Sequence, residues 1–373
     1  MLVKNRKEKL MNEYNMMRFF NQFIATIKKD IKSIGIITDK DGTLLLNSEL
    51  RESLEKLKNK NLGVNIHLIA NSGRTVSDMI NCLENENIPL DYFDYIIGDN
   101  GGMCLDVKNN KQLFKHVMDK ESVEKVINQF IQYGGTHSNI RLADGKNIYA
   151  YTSDEVKEYY KDSEGIVFKE NITDIDNMDI TKLTLTGTHS QIYELNRYIE
   201  ENIKGHKTHI GVTSFPIKSD NNYRLDFTGM HTKGSAAKYI KKKLDLDMCI
   251  YLGNDLNDIS MFSQAIDNDD FIVIASHEEE KITKLLIQYL QEECFMKGIN
   301  WENIKLLLLE DRDVNRFLLK TSRILNRINN RNVGQNTNIR RKYRVSIAKS
   351  NRDAIRRKKV MDKRVKNNLP FHR

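Results

Sequence analysis

Cysteine is scarce in this chain, and what there is does not pair. The 373 residues contain four cysteines, Cys82, Cys104, Cys249 and Cys294. None forms a C-x-x-C pair, so neither a zinc site nor a disulfide framework is indicated, and scattered thiols fit a reducing cytoplasm. Long apolar runs are also missing. Runs such as 306–309 fall far short of the roughly 20 residues a membrane span needs. Asn21 and Gln22 interrupt the apolar stretch at 19–27, which argues against a signal peptide behind the basic start. Hydrophobic residues make up 39% and charged residues 29%. That composition supports a core while leaving part of the chain polar and exposed. The length suggests two domains.

What the chain does have is a strong charge asymmetry. Its formal net charge is +8, but residues 311–373 carry 20 Lys and Arg against 4 Asp and Glu. Residues 1–310 then carry 39 against 47, so an acidic body precedes a basic tail. Dense clusters in the tail, Arg340-Arg341-Lys342-Tyr343-Arg344 and Arg356-Arg357-Lys358-Lys359, suit a polyanion such as RNA, DNA or an anionic membrane surface. The bland alternative is a solvated tail that touches the acidic body. Tyr343 and Phe371 are the few aromatics late in the tail, so base stacking has little support.

Hydrophobic periodicity divides the body. Residues 4–30 read as a helix, with apolar residues at Met16, Phe19, Phe20, Phe23 and Ile27. The run 34–38 suits a strand buried on both faces. Ser48 is placed to cap a helix over 49–61. A strand at 66–70, a helix over 75–86 and a strand at 95–97 follow. Strands alternating with helices predict a parallel sheet covered on both sides. The pattern changes after Gly102. Helices are expected at 119–133 and 190–203, with half-polar strands at 181–186, 208–214 and 223–228. Alternating strands of that kind indicate a separate α+β layer. The first pattern resumes with a helix at 233–244, a strand at 249–252, a helix from about 256 and a strand at 271–275. The expected organisation is an N-terminal helical extension (1–32), a doubly wound Rossmann-like α/β core (33–103 and 216–300), an inserted α+β cap (104–215) and a basic helical or disordered extension (301–373). Within that extension, Phe317, Leu318, Ile324, Leu325 and Ile328 lie on one helical stripe.

Four short motifs carry the chemistry. Asp39-Lys40-Asp41-Gly42-Thr43 directly follows the first buried strand. Ligands of open α/β sheets bind beyond the carboxyl ends of strands. Two carboxylates there repel each other unless a cation or a reaction employs them. One can attack phosphorus while the other moves protons. The plain alternative is an Asp-Gly turn. Asn71-Ser72-Gly73-Arg74 follows the second strand, and its hydroxyl and free N–H groups before a helix make a phosphate corner or an ordinary N-cap. Gly253-Asn254-Asp255-Leu256-Asn257-Asp258 offers acid and amide oxygens that suit magnesium or a plain polar loop. Lys233-Gly234 opens a helix, where a lysine can neutralise phosphate or simply sit on the surface.

Taken together and in this order, the motifs resemble those of the haloacid dehalogenase-like hydrolase superfamily over residues 33–280. Asp39 and Asp41 match its D-x-D-G-T motif, Ser72 its Ser/Thr motif, Lys233 its lysine motif, and residues 254–258 its acidic motif. The insertion between motifs is similar to the α/β cap of the Cof-type branch, which includes sucrose-phosphate and trehalose-phosphate phosphatases. Asp99-Asn100-Gly101-Gly102 is similar to that branch's N-G-A turn, and the helix start at Lys233-Gly234-Ser235-Ala236 to its K-G-x-A-L. The resemblance implies a magnesium-dependent phosphatase for a small phosphorylated metabolite, with a sugar phosphate the expected substrate. Asp39 would form an aspartyl-phosphate, Asp41 would act as general acid and base, and Lys233 would complete the catalytic set. Thr43, Ser72, Gly73, Arg74, Asn100 and Asn257 would bind substrate. Magnesium would lie among Asp39, Asp41, Asn254, Asp255 and Asp258. The family's acidic motif usually reads G-D-x-x-N-D, and Asn254 stands where its first aspartate is expected. Either Asn254 or Asp255 then ligates the metal. A phosphomutase would share the aspartyl-phosphate. A nucleic-acid-associated protein, acting on a polynucleotide end or serving as a scaffold, is the reading that the tail supports.

Overall fold

The computed structural model describes residues 2–27, 31–58, 64–161, 165–171, 175, 177–213, 222–276 and 280–333. Two sheets organise them. The first part of the chain supplies β1 (Ser33–Thr38), β2 (Asn65–Asn71), β3 (Tyr95–Gly98), β4 (Met103–Asp106) and β5 (Lys111–Lys115). A second group follows, with β6 (Ile140–Ala143), β7 (Ile148–Tyr151), β8 (Ile166–Lys169), β9 (Lys182–Gly187), β10 (Lys207–Val212) and β11 (Tyr223–Thr228). The chain then returns with β12 (Met248–Gly253), β13 (Phe271–Ala275) and β14 (Lys305–Leu309). The larger sheet has the order β14-β13-β12-β1-β2-β3-β4-β5 and the smaller β10-β11-β9-β6-β7-β8.

The larger sheet is the doubly wound core expected from the alternating pattern. Its strands run parallel from β14 to β3, and β4 and β5 add an antiparallel edge. All six residues of β1 are buried. Alternation sends Ile34 and Ile36 into one apolar cluster and Ile37 into the other. β13 divides in the same way, with Phe271 and Val273 on one side and Ile272 and Ile274 on the opposite side. Both faces therefore need helices. Helices α1 (Leu2–Ile27), α2 (Ser48–Leu57) and α3 (Val76–Asn85) cover the first face. The smaller sheet is backed by α4 (Lys120–Gln132) and α6 (His189–Asn202), whose Val123, Ile127, Phe130, Ile192 and Leu195 meet Leu183, Leu185, Leu225 and Phe227. A short helix, α5 (Asp154–Tyr159), lies between β7 and β8 in the chain. The second face of the core is covered by α7 (Lys233–Lys243), α8 (Ile259–Asp267) and α9 (Glu280–Met296). The last described helix, α10 (Asp311–Val333), joins α1 and α2 on the first face.

Several expected boundaries move. The cap was expected to begin at 104, yet β4 and β5 pair onto β3 in the core sheet. The core was expected to resume at 216, yet β11 pairs with β9 and β10 in the smaller sheet. Strand propensity marks a strand but not its partner, and hydrogen bonding across distant segments decides the sheet. The extension expected from 301 includes β14, which pairs in parallel with β13 and closes the core edge. The expected stripe on α10 is real: Phe317, Leu318, Ile324 and Leu325 are buried in the core. The same holds for the N-terminal helix. Phe19 lies 5.1 Å from Phe271 and 5.6 Å from Phe317 between ring centroids, and Phe20 stacks on Phe317 at 5.5 Å. α2 is capped by Asn47, whose side chain accepts from Leu50 N, and not by Ser48. The basic clusters at 340–344 and 356–359 lie outside the described residues.

Candidate active site

The strand order creates the site. From β1 the chain winds outward through β2 and β3, and later returns on the other side of β1 as β12. The carboxyl ends of β1, β2 and β12 then lie side by side at a switch point, where open α/β sheets bind ligands. Asp39 leaves β1 there, its N–H donating to the Leu252 carbonyl of β12 at 2.9 Å. Ser72 leaves β2, its N–H donating to the Ile97 carbonyl of β3 at 2.9 Å. Gly42 adopts φ +68, and a Cβ there would collide with the Asn254 amide, so only glycine lets the two loops touch.

Lys233 is the centre of charge. It starts α7, is fully buried, and donates Nζ to Asp258 Oδ1 at 2.7 Å. The same Nζ lies 2.9 Å from Asp39 Oδ1. Asn71 Nδ2 donates to the Lys233 carbonyl at 2.9 Å and ties β2 to this helix start. Burial opposes the lysine's charge, but the two carboxylates outweigh it and hold its pKa above the ordinary range. Burial pushes Asp39 the other way, up to about 7. The pull of Lys233 works against that rise, and the nearby Asp258 and Asp41 charges add to it.

Asp41 stands apart from this buried pair. Its carboxylate is held by Arg74 in two-pronged fashion, Nε to Oδ2 at 2.7 Å and Nη2 to Oδ1 at 3.0 Å, with Lys40 Nζ at 2.8 Å. Burial raises its pKa, but Arg74 and Lys40 dominate and bring it to about 2. Asp41 is therefore an anion in this arrangement. Donating a proton would require release from Arg74, which also pairs with Asp78 at 2.8 Å.

Three expected site residues have partners within the protein. Asp258 was expected among metal ligands, but both of its oxygens are engaged, Oδ1 by Lys233 and Oδ2 by the N–H groups of Asn254 and Asp255 at 2.9 and 3.1 Å. A fully buried carboxylate collects such donors to offset its lost hydration, so it braces the loop from behind. Asn100 was expected on the substrate, but it is fully buried, with φ 54, and bridges Asn257 Nδ2 at 3.2 Å to Asp226 Oδ2 at 3.3 Å. Thr43 is also buried, its hydroxyl nearest to Asn254 Oδ1 at 3.4 Å. Ser72 Oγ accepts from Arg74 N at 3.2 Å. Gly73, Arg74 and Asn257 do line the cavity, with Asp39, Asp41, Asn254 and Asp255.

No three His, Cys, Asp or Glu side chains converge into a ready-made metal cage among the described residues. What converges is a mixed oxygen set. Asp39 and Asp255 bring carboxylates and Asn254 an amide whose Oδ1 has only the distant Thr43 hydroxyl, and all three line the cavity. Two carboxylates with neutral oxygens suit a hard cation such as magnesium, which keeps several waters. The donor chemistry thus fits the ion.

The cap lines one side of the cavity, which measures about 450 Å³. Thr181 Oγ1 donates to Asp99 Oδ2 at 2.6 Å, and Lys182 Nζ donates to the Gly73 carbonyl, so β9 of the cap is tied to two loops of the core. Burial raises the Asp99 pKa to about 6, with Lys182 and Thr181 pulling against it. The cap residues Arg141, Lys182, Arg224 and Asp226, all lining the cavity, were not singled out from sequence. A signal was there: β11 alternates Arg224-Leu225-Asp226-Phe227, polar on one face and apolar on the other.

A carboxylate nucleophile candidate, a buried lysine and a covering inserted domain at the switch point of a doubly wound sheet define a capped, Rossmann-like hydrolase. The chain belongs to the haloacid dehalogenase-like hydrolase family, whose profile matches residues 36–267. Among solved structures, it is similar to a haloacid dehalogenase-like hydrolase from Bacteroides thetaiotaomicron, with 19% identity, TM-score 0.53, and 80% of this chain and 100% of that chain covered. It is also similar to a HAD/COF-like hydrolase from Plasmodium vivax, with 16% identity, TM-score 0.57 and coverage of 80% and 98%. A subclass IIB sugar phosphatase of the superfamily aligns with 19% identity, TM-score 0.50 and coverage of 71% and 98%. At such identities these likenesses speak for the fold. A comparison with curated proteins finds no match. No described helix is long and apolar enough to cross a membrane.

Proposed function

We propose that the protein is a magnesium-dependent phosphatase that hydrolyses a small phosphorylated metabolite of the sugar-phosphate kind. The observation that carries this is the Asp39–Lys233–Asp258 chain, buried at the strand ends beneath a cap cavity. Asp39 Oδ1 is held by the lysine at 2.9 Å, which leaves Oδ2 as the attacking oxygen on phosphorus. Attack forms the Asp39–phosphorus bond and breaks the bond to the leaving alkoxide. Asp41, two residues on, would in its protonated form, once freed from Arg74, give its proton to that oxygen and then take one from a water whose attack on phosphorus breaks the Asp39–phosphorus bond and releases inorganic phosphate. Lys233 and the N–H groups after Ser72 would face the phosphoryl oxygens. Magnesium, held by Asp39, the Asp41 carbonyl, Asn254 and Asp255, would supply charge neutralisation for the transferring group. The cavity volume suits a small metabolite. The similar subclass IIB structure is a sugar phosphatase, which supports the substrate class. Four free thiols support residence in a reducing cytoplasm.

The test is phosphate release from a panel of phosphorylated metabolites, with magnesium and with chelator. Turnover that needs magnesium and disappears in Asp39→Asn is expected. Undiminished turnover in Asp39→Asn would sink the reading.

A further inference from the structure

Three consecutive carbonyls in the loop after β2 are each held by a different donor. Asn100 N–H donates to the Ser72 carbonyl at 3.1 Å, and Asp99 N–H to the Arg74 carbonyl at 2.8 Å. Between them, the Gly73 carbonyl accepts from Lys182 Nζ. The outer two donors belong to the core turn that follows β3, where Asp99 and Asn100 both take left-handed φ, 53 and 54. The middle donor belongs to the cap, at the first residue of β9.

A trans peptide carries its carbonyl and N–H on opposite sides, so a tethered carbonyl fixes the direction of the N–H that follows it. Holding the Ser72 and Arg74 carbonyls turns the Gly73 and Thr75 N–H groups away from the core turn. Neither has an acceptor among the described residues, and both residues line the cavity. These are the free donors that the loop offers to phosphoryl oxygens. The middle peptide is reversed. Its N–H, on Arg74, donates to Ser72 Oγ at 3.2 Å. Its carbonyl turns toward the cap, where Gly73 and Lys182 both line the cavity. Without the ammonium, that carbonyl would present its negative end beside the anion the loop has to bind.

Lys182 adds no surplus charge to the cavity. The fully buried Asp99 carboxylate lies 4.0 Å from Nζ and balances it, so the lysine acts here as an aimed donor. Its backbone is fixed by pairing on both sides, opposite Ala143 of β6 and Thr228 of β11. The cap meets the same segment a second time. Val76 N–H, which opens α3, donates at 3.0 Å to the carbonyl of Gly145 in the turn between β6 and β7.

We propose that Lys182 is a positioning residue for phosphoryl transfer, which completes the phosphoryl-binding loop from the cap by holding the Gly73 carbonyl. The loop is then fully formed only with the cap seated. This rests on the phosphatase reading and adds to it a residue that acts through Gly73 rather than on the substrate. Catalysis by aimed N–H donors depends on their placement before the reaction, so a loop that shifts loses rate on every substrate alike.

The test is Lys182→Met, which keeps the stem and removes the donor, assayed with magnesium present. Calorimetry should show inorganic phosphate binding weakened by about tenfold. kcat/KM should fall by about ten- to a hundredfold, and by the same factor for glucose 6-phosphate and p-nitrophenyl phosphate, which share only the phosphoryl group. Lys182→Arg keeps a charged donor and should restore most of both losses. Thermal unfolding checks that each variant folds, and Lys182→Gln replaces the Met variant in these comparisons if that one does not. Unchanged phosphate affinity in the variant overturns the proposal. So does a loss confined to one substrate, which would place Lys182 on the leaving group, or an Arg variant as impaired as the Met variant, which would make its role structural only. If the wild type hydrolyses none of a panel of phosphorylated metabolites, nor p-nitrophenyl phosphate, the phosphatase reading itself fails. Phosphate calorimetry then decides alone: weaker binding in the variant upholds the completed loop, and equal binding, or none to wild type, overturns it.

Discussion

Replacing Lys233 with methionine tests the electrostatic core of the site without relying on turnover. Methionine keeps most of the length and apolar bulk of the stem and removes only the charged head. In the native protein that head lies 2.7 Å from Asp258 and 2.9 Å from Asp39, and all three groups are almost wholly shielded from water. Deleting one partner of a buried ion pair strands the remaining charge, which costs about 3–5 kcal/mol. Here two carboxylates are stranded together, and their mutual repulsion adds to the desolvation that already pushes Asp39 up. The sign of the pH dependence follows. In the variant, the carboxylate pKa in the folded state rises well above the unfolded value. Native stability is then retained at low pH, where the proton is bound, and lost as pH rises through the raised value. The variant should be about 3–5 kcal/mol less stable than wild type at pH 8, with a deficit smaller by about 2 kcal/mol at pH 5. Urea unfolding of both proteins at the two pH values, with chelator present, measures this. A variant as stable as wild type at pH 8, or one with the same deficit at both pH values, would refute the buried-triad account.

Three further outcomes are expected. Asn254→Asp adds a charge to the oxygen set beside Gly42 and should tighten magnesium binding by about tenfold, read from calorimetry or the magnesium dependence of turnover. Phe317→Ala removes the ring between Phe19 and Phe20 and should destabilise the protein by about 3–5 kcal/mol in denaturant unfolding, whereas a loss below about 1 kcal/mol would show that α10 is not part of the core. His116 and His231 lie on the two connections between core and cap, with ring centroids 3.1 Å apart and nearly parallel planes. Burial, with the nearby His231, brings the His116 pKa down to about 4. The unfolded chain therefore binds a proton that the native state refuses, so stability falls as pH drops from about 6.5 toward 4. Half-exposure discounts the effect to about 1–2 kcal/mol, and His116→Phe should remove much of that slope in pH-dependent unfolding.

Local chemistry was legible in the sequence. The doubly apolar runs at β1, β12 and β13 announce a sheet covered on both faces, because each strand needs apolar residues at consecutive positions. The loops carrying Asp39, Ser72 and Asn254 follow directly from β1, β2 and β12, so their candidate chemistry could be read before any fold was seen. The stripe on α10 was visible too, since it rests on a 3.6-residue period within one segment. Partnership between distant segments was not legible. Nothing in a local pattern says that β4 and β5 join the core edge, that β11 belongs to the cap, or that β14 closes the sheet. Side-chain partners were hidden for the same reason. Asp258 and Asn100 looked like ligands in their motifs, and packing turned one toward Lys233 and the other toward Asp226. The polar cap face shows the division most clearly. Alternation along β6, β9 and β11 is written in the chain, but Arg141, Lys182 and Arg224 stand 41 and 42 residues apart in sequence. Only hydrogen-bonded register, which depends on the whole assembled sheet, brings them onto one surface above Asp39.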